Sequence, residues 1–158
     1  MLTKRQNLLE TIRGGKPDRY VNQYEALAMV VMNPYMAHNP QAEYGKDPVK
    51  NAWGVTNVWP EGTPGGFPIH DEEHIVCKDI THWKDYVHAP SLDYSDADWE
   101  PFVKAAEKID RREYVVTQIV APVIFEQCHH LQQITNCLLN YTDKPQPTSD
   151  LSHYLTQW

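Results

Sequence analysis

Residues 114–139 read YVVTQIVAPVIFEQCHHLQQITNCLL. The run from Tyr114 to Val120 is short, apolar and rich in β-branched side chains, with charge before it and Ala121-Pro122 after it. Such a run predicts a buried strand. Pro122 suits a helix start, because the first helical turn has no use for an N–H there. Ile124, Cys128, Leu131, Thr135 and Leu138 follow at helical spacing, so one helix is expected through Leu139. The result is a strand-loop-helix unit, which places chemistry at the carboxyl end of its strand.

Working back from this unit, Trp99 to Ile109 predicts a helix capped by Asp96 or Asp98, with Phe102, Val103, Ala106 and Ile109 inward. Asp79 or Thr81 starts a short helix through Trp83, Tyr86 and Val87. Residues 34–70 carry Pro, Gly, Asn and Trp in turn-like clusters, with room for a strand or strand pair between Asn51 and Trp59. Gly65-Gly66 suggests positive φ or a close backbone approach. Near the amino terminus, Thr3 and Gln6 form a capping box. Leu8, Leu9 and Ile12 supply that helix's apolar face, and Gly14-Gly15 stop it. Tyr20 to Tyr24 is expected as the first strand, and Glu25 to Met32 as the start of a helix running to Pro34. At the far end, residues 143–148 are expected to break the chain before a last helix from Ser149.

The 158 residues suffice for one domain with a core. A net charge of −7 without a basic stripe argues against nucleic acid as a partner. No apolar run approaches a membrane span, and the first fifteen residues show no signal core. Cys77, Cys128 and Cys137 form no CxxC pair, which fits reduced thiols and a cytoplasmic location.

The order of these pieces resembles the uroporphyrinogen decarboxylase superfamily. Gly14 to Arg19 (GGKPDR) is similar to that family's opening. Asn51-Ala52-Trp53-Gly54 is similar to its D-x-W-G segment, with Asn51 replacing the acid. Asp79 to Trp83 is similar to its short pre-barrel helix, and Val120-Ala121-Pro122 to its turn after strand two. The resemblance implies an α/β fold: the N-terminal part of a (β/α)₈ TIM-type barrel. Residues 1–112 would hold the N-terminal helix, the first strand and a loop-rich elaboration. Residues 113–158 would hold the second strand-helix unit and the start of the next helix. Such barrels take about 250 residues, so the chain is expected to be a partial barrel, inactive alone. It is expected to self-associate or to take a complementary barrel half.

The family's decarboxylases place an Arg-rich segment after strand one. Here that stretch, Val21 to Leu27, holds Glu25 and no Arg, which disfavours uroporphyrinogen or another small acid as the substrate of a decarboxylase. The resemblance then implies the branch that moves a methyl group between a corrinoid protein and a thiol or pterin. A zinc and a corrinoid protein belong to the complete enzyme; no metal is expected on this chain. A decarboxylase of uroporphyrinogen or another small acid stays as one alternative, and a non-catalytic module that completes a split barrel as the other.

Within this frame Gln23, Glu25 and Gln118 are the candidate substrate-binding residues, at the expected strand ends. Glu126, in the first turn of the following helix, is the candidate catalytic residue, although an acid there also complements the helix dipole. Cys128, His129 and His130 point about 100° apart on a helix and cannot close on one ion. Cys128 is read as core, with the two His exposed or capping. Trp53, Trp59 and Phe67 are read as the local core of a loop-rich region. His70 to His74 is read as a solvated acidic turn, since Asp71 stands where a zinc-binding H-E-x-x-H needs Glu.

Overall fold

The computed structural model describes residues 1–22, 24–121 and 123–158. The chain is a mixed α/β protein. In order, the described elements are α1 (Lys4–Ile12), β1 (Leu27–Met29), α2 (Pro34–His38), β2 (Val49–Lys50), β3 (Thr56–Val58), β4 (Phe67–Pro68), a 3₁₀ helix (Ile80–Asp85), α3 (Asp96–Glu107), β5 (Val115–Thr117), α4 (Ile124–Gln132), α5 (Ile134–Asp143) and α6 (Pro145–Gln157). They fall into two compact units, each made of two chain segments. The first is Met1–Ala37 with Asp93–Val120; the second is His38–Leu92 with Ala121–Trp158.

In the first unit the capping box forms as expected. The Thr3 hydroxyl accepts from the Gln6 N–H at 3.1 Å, and the Gln6 side chain accepts from the Thr3 N–H at 2.9 Å. Gly14 ends the helix at φ +66°. The expected apolar face is only partly right: Ile12 is exposed, and the enclosed residue is Asn7. Its amide donates to the Leu2 carbonyl and accepts from the Asp18 N–H, tying the Pro17-Asp18 turn onto α1.

Among the described residues, the expected first strand at 20–24 does not form: residues 20–22 and 24 hold no strand. The Asn22 carboxamide accepts from the Tyr24 N–H and its carbonyl from the Glu25 N–H, which turns the chain there. β1 follows at Leu27–Met29, inside the stretch expected to be helical. Leu27 and Met29 favour helix locally, but pairing overrides propensity. β1 lies parallel to β5 with Leu27 opposite Val115 and Met29 opposite Thr117, extended by Val115 N–H to the Ala26 carbonyl and Val30 N–H to the Thr117 carbonyl. α3 starts from Ser95, not from an Asp: the Ser95 hydroxyl accepts from the Asp98 N–H, and the Asp98 carboxylate accepts from the Ser95 N–H. Phe102, Ala106 and Ile109 are half-buried, whereas Val103 is exposed.

In the second unit β2, β3 and β4 form a small antiparallel sheet. Asn51 shapes the turn into β3: its carboxamide oxygen accepts from the Trp53 and Val55 N–H groups while Gly54 takes φ +80°. Gly65 and Gly66 have no positive φ, but Gly66 does pack closely, with Ala42 Cβ 3.3 Å from where its own Cβ would stand. Asp79 caps the 3₁₀ helix through the Thr81 N–H. Three helices complete the unit around Cys128, Leu131, Cys137, Leu151 and Leu155.

Two expectations about these helices are corrected. The single helix through Leu139 is broken at Gln133, which sits at φ 70°, ψ 152° and separates α4 from α5. The expected break at residues 143–148 shrinks to Lys144. Pro145 and Pro147 both occupy the first turn of α6, where a missing N–H does no harm. The end of α6 is fixed in the core: Trp158 packs edge-on against Trp53 at 5.0 Å and donates its indole N–H to the Pro90 carbonyl, while the Tyr154 hydroxyl accepts from the Ala89 N–H.

Candidate functional site

The carboxyl ends of β1 and β5 carry the first unit's cleft. Val30, Trp99, Phe102, Val103, Ala106 and Gln118 are among the side chains that line a hollow of about 280 Å³, completed by Val116 and Thr117. Its lining has aromatic and aliphatic surface, one hydroxyl and one amide, and no charge. Such a wall accepts a flat or apolar group and offers no cation to a carboxylate. β5 ends at Thr117, so Gln118 lies just past the strand. Its amide nitrogen donates to the carbonyls of Val31 and Ile119, both at 3.1 Å, which bridges the ends of the two strands.

Glu25 is placed differently. It precedes β1, so it sits at the amino end of the parallel pair, opposite to Gln118. The sequence expectation put it at the strand's carboxyl end because the strand was placed at residues 20–24. Glu25 is held by Arg19: both guanidinium nitrogens reach its carboxylate, one at 2.9 Å. Arg19 is the main cause of its lowered pKa, and Glu25 in turn raises that of Arg19. An acid bound in this way is a loop clamp. Gln23 lies outside the described residues.

Glu126 belongs to the second unit. It stands in the first turn of α4, as expected, with one carboxylate oxygen buried and without a hydrogen-bond partner. One turn on, the His129 Nδ1 atom is also buried and unpartnered. The His129 ring lies 4.6 Å from that of His130, 5.9 Å from that of His70 and 5.4 Å from that of Phe125. The reading of His129 and His130 as exposed or capping groups is therefore corrected: both are half-buried, and the His129 ring meets those of His130 and His70. Burial, then the neighbouring His129 and His70, push His130 down to about 4, with Glu126 pulling the other way. Burial and His129 also lower His70. Among the described residues, no group of three or more His, Cys, Asp or Glu is placed to hold a metal ion. No sequence spacing announces this cluster, since His70 comes from a loop far along the chain from α4.

The remaining candidates resolve simply. Cys77, Cys128 and Cys137 are free and buried. Burial raises all three thiols, Cys77 to about 12 and Cys137 to about 11, so none is an activated nucleophile at neutral pH. Trp53 is core. Trp59 packs edge-on against Tyr44 and donates its indole N–H to the Thr63 carbonyl, while Phe67 is exposed. Asp71 and His74 pair with each other at 2.6 Å in the turn after His70. No described helix is long and apolar enough to cross a membrane. Compared with known proteins, the chain matches no family model, no curated protein and no solved structure.

Proposed function

We propose that the chain supplies the first two parallel strands of a uroporphyrinogen-decarboxylase-like (β/α)₈ barrel, of the branch that moves methyl groups between a corrinoid protein and a thiol or pterin. The observation that carries this reading is the parallel pairing of β1 with β5. Parallel strands are ordinarily covered on both faces and continued by neighbours. Here two strands of three residues stand together, with Met29, Val103 and Val120 exposed around them. Further strands would continue the pair and cover that surface.

The chemistry assigned to this chain is modest. The uncharged cleft beside Gln118 would form part of the wall against which a methyl donor or acceptor is oriented, and orientation is a large share of such catalysis. The zinc and the activated nucleophile belong to the remaining strands, since the thiols here are buried and protonated. Glu25 is withdrawn from the site because Arg19 holds it at the other end of the strands. The absence of any cation in the cleft lining argues against a decarboxylase of polycarboxylates.

The test is a fusion of this chain to the missing strands of a corrinoid-linked methyltransferase barrel, assayed with methylcobalamin and a simple thiol. Thiol-dependent demethylation is expected, falling roughly tenfold for Gln118→Ala, the size of one lost hydrogen-bonded contact. A folded fusion without turnover overturns the reading. The exposed apolar surface around β1 and β5 also favours a second reading, a non-catalytic module completing a split barrel. Capture of the missing strands with no turnover would support that one instead.

A further inference from the structure

The loop that follows β4 is tied to α4 at three points. The Gln133 amide donates to the His70 carbonyl at 2.6 Å, the Cys77 N–H donates to the Leu131 carbonyl at 2.8 Å, and the His70 ring stands edge-on to His129. Gln133 is the one non-glycine with positive φ among the described residues, and its φ and ψ fall where side chains are strained. That backbone is held in place in part by the bond to His70. Beneath the loop, Cys77 is sealed from solvent.

We propose that His70 and His130, both packed against the His129 ring, form an acid-operated latch: neutral imidazoles close the 70–77 loop onto α4, and protonation of His70 and His130 releases it and uncovers Cys77. The latch closes because the uncharged rings of His70 and His130 can each pack edge-on against His129. It opens because charging His70 and His130 sets like charges close together, with His130 half-buried. The closed state binds fewer protons than the open one, in which His70 and His130 regain their ordinary values. Falling pH therefore favours opening. The window runs from about 6.5, the free value, down to about 4, where His130 charges even when closed.

Glu126, on α4, favours protonation of His130 and moderates the effect. On the loop, Asp71 is taken by His74. On α5 and α6, Tyr141, Asp143, Asp150 and His153 are exposed, with Asp150 bonded by Gln146 and His153 by Gln157.

The test follows the Cys77 thiol by mass spectrometry after brief exposure to 4,4′-dithiodipyridine, which reacts in acid, with rates normalised to a small thiol. Far-UV circular dichroism is recorded in parallel. Labelling of Cys77 is expected to accelerate about tenfold or more between pH 6.5 and 4 while helical ellipticity is unchanged, as local opening requires. His130→Gln and His70→Gln should each move that acceleration to lower pH or abolish it. His70 is exposed, so the second variant decides the matter should His130→Gln fail to fold. The proposal is overturned if Cys77 stays protected to pH 4, if it opens only as ellipticity is lost, or if a folded variant opens as the parent does.

Discussion

In the second unit Cys128, Leu131, Cys137 and Leu151 are fully enclosed, and Trp53, Trp83 and Leu155 close the core around them. In the first unit the enclosed side chains among the described residues are Asn7, Ala26 and Pro34, none of which is a large apolar group. The units thus rest on different forces. The second has ordinary side-chain packing between helices. The first depends on specific hydrogen bonds, such as the Thr3 and Asn7 bonds and the β1–β5 ladder, with its larger apolar groups half-exposed. Bonds of that kind each contribute about 1 kcal/mol net, whereas a buried Leu contributes about 2–3 kcal/mol. Hence the first unit is the one expected to need covering.

The largest effect expected from this contrast is in amide exchange. The ladder amides of Val115 and Val30 should exchange orders of magnitude faster than those of α4 and α6 at neutral pH, because local opening is easiest where little apolar surface is enclosed. Equal protection by mass spectrometry or NMR would break the comparison. Next in size, Leu131→Ala should cost the second unit about 3 kcal/mol in a denaturant melt; a loss under about 1 kcal/mol would show a core loose enough to collapse around the gap. Thr148→Val removes a hydroxyl that donates to the Asn140 and Lys144 carbonyls from a buried position. It should cost about 1–2 kcal/mol in the same melt. The smallest effect falls in the first unit. Ser95→Ala removes the cap of α3 and should cost about 1 kcal/mol, read as faster exchange of the first-turn amides rather than as a shift of the second unit's melt.

How much of this was legible depended on whether the deciding partner was local. The α1 cap was, because Thr3 and Gln6 are three residues apart. α3 was legible in extent, although Ser95 rather than an Asp caps it. Cys128 was legible as core from its place on the apolar stripe of α4. β1 was not, since Leu27–Met29 becomes a strand only by pairing with residues far along the chain, while the Asn22 turn removes the strand expected before it. The helix break at Gln133 has no Gly or Pro to mark it; a side chain bonded to the distant His70 carbonyl accompanies it. Pro145 was read as a stop when it is a start, a choice that the local sequence leaves open. Among the candidate site residues, Gln118 kept its place at a strand end and Glu126 its place in a first turn. Glu25 lost its position because the strand it was thought to close lies after it. The imidazole cluster depends on a tertiary contact.

The division of each unit into two chain segments bears on the order in which the molecule is made. A chain emerging from the ribosome folds what it can as it appears. The first unit cannot finish until Val120 has emerged, by which time the whole 38–92 segment is out and waiting for α4 to α6. The β1–β5 pair closes across that waiting segment, a long loop whose ends meet slowly. Synthesis therefore passes through a long interval in which neither unit is whole. The apolar side chains of Trp53 and Trp83 lie exposed in that interval until the last helix arrives to cover them.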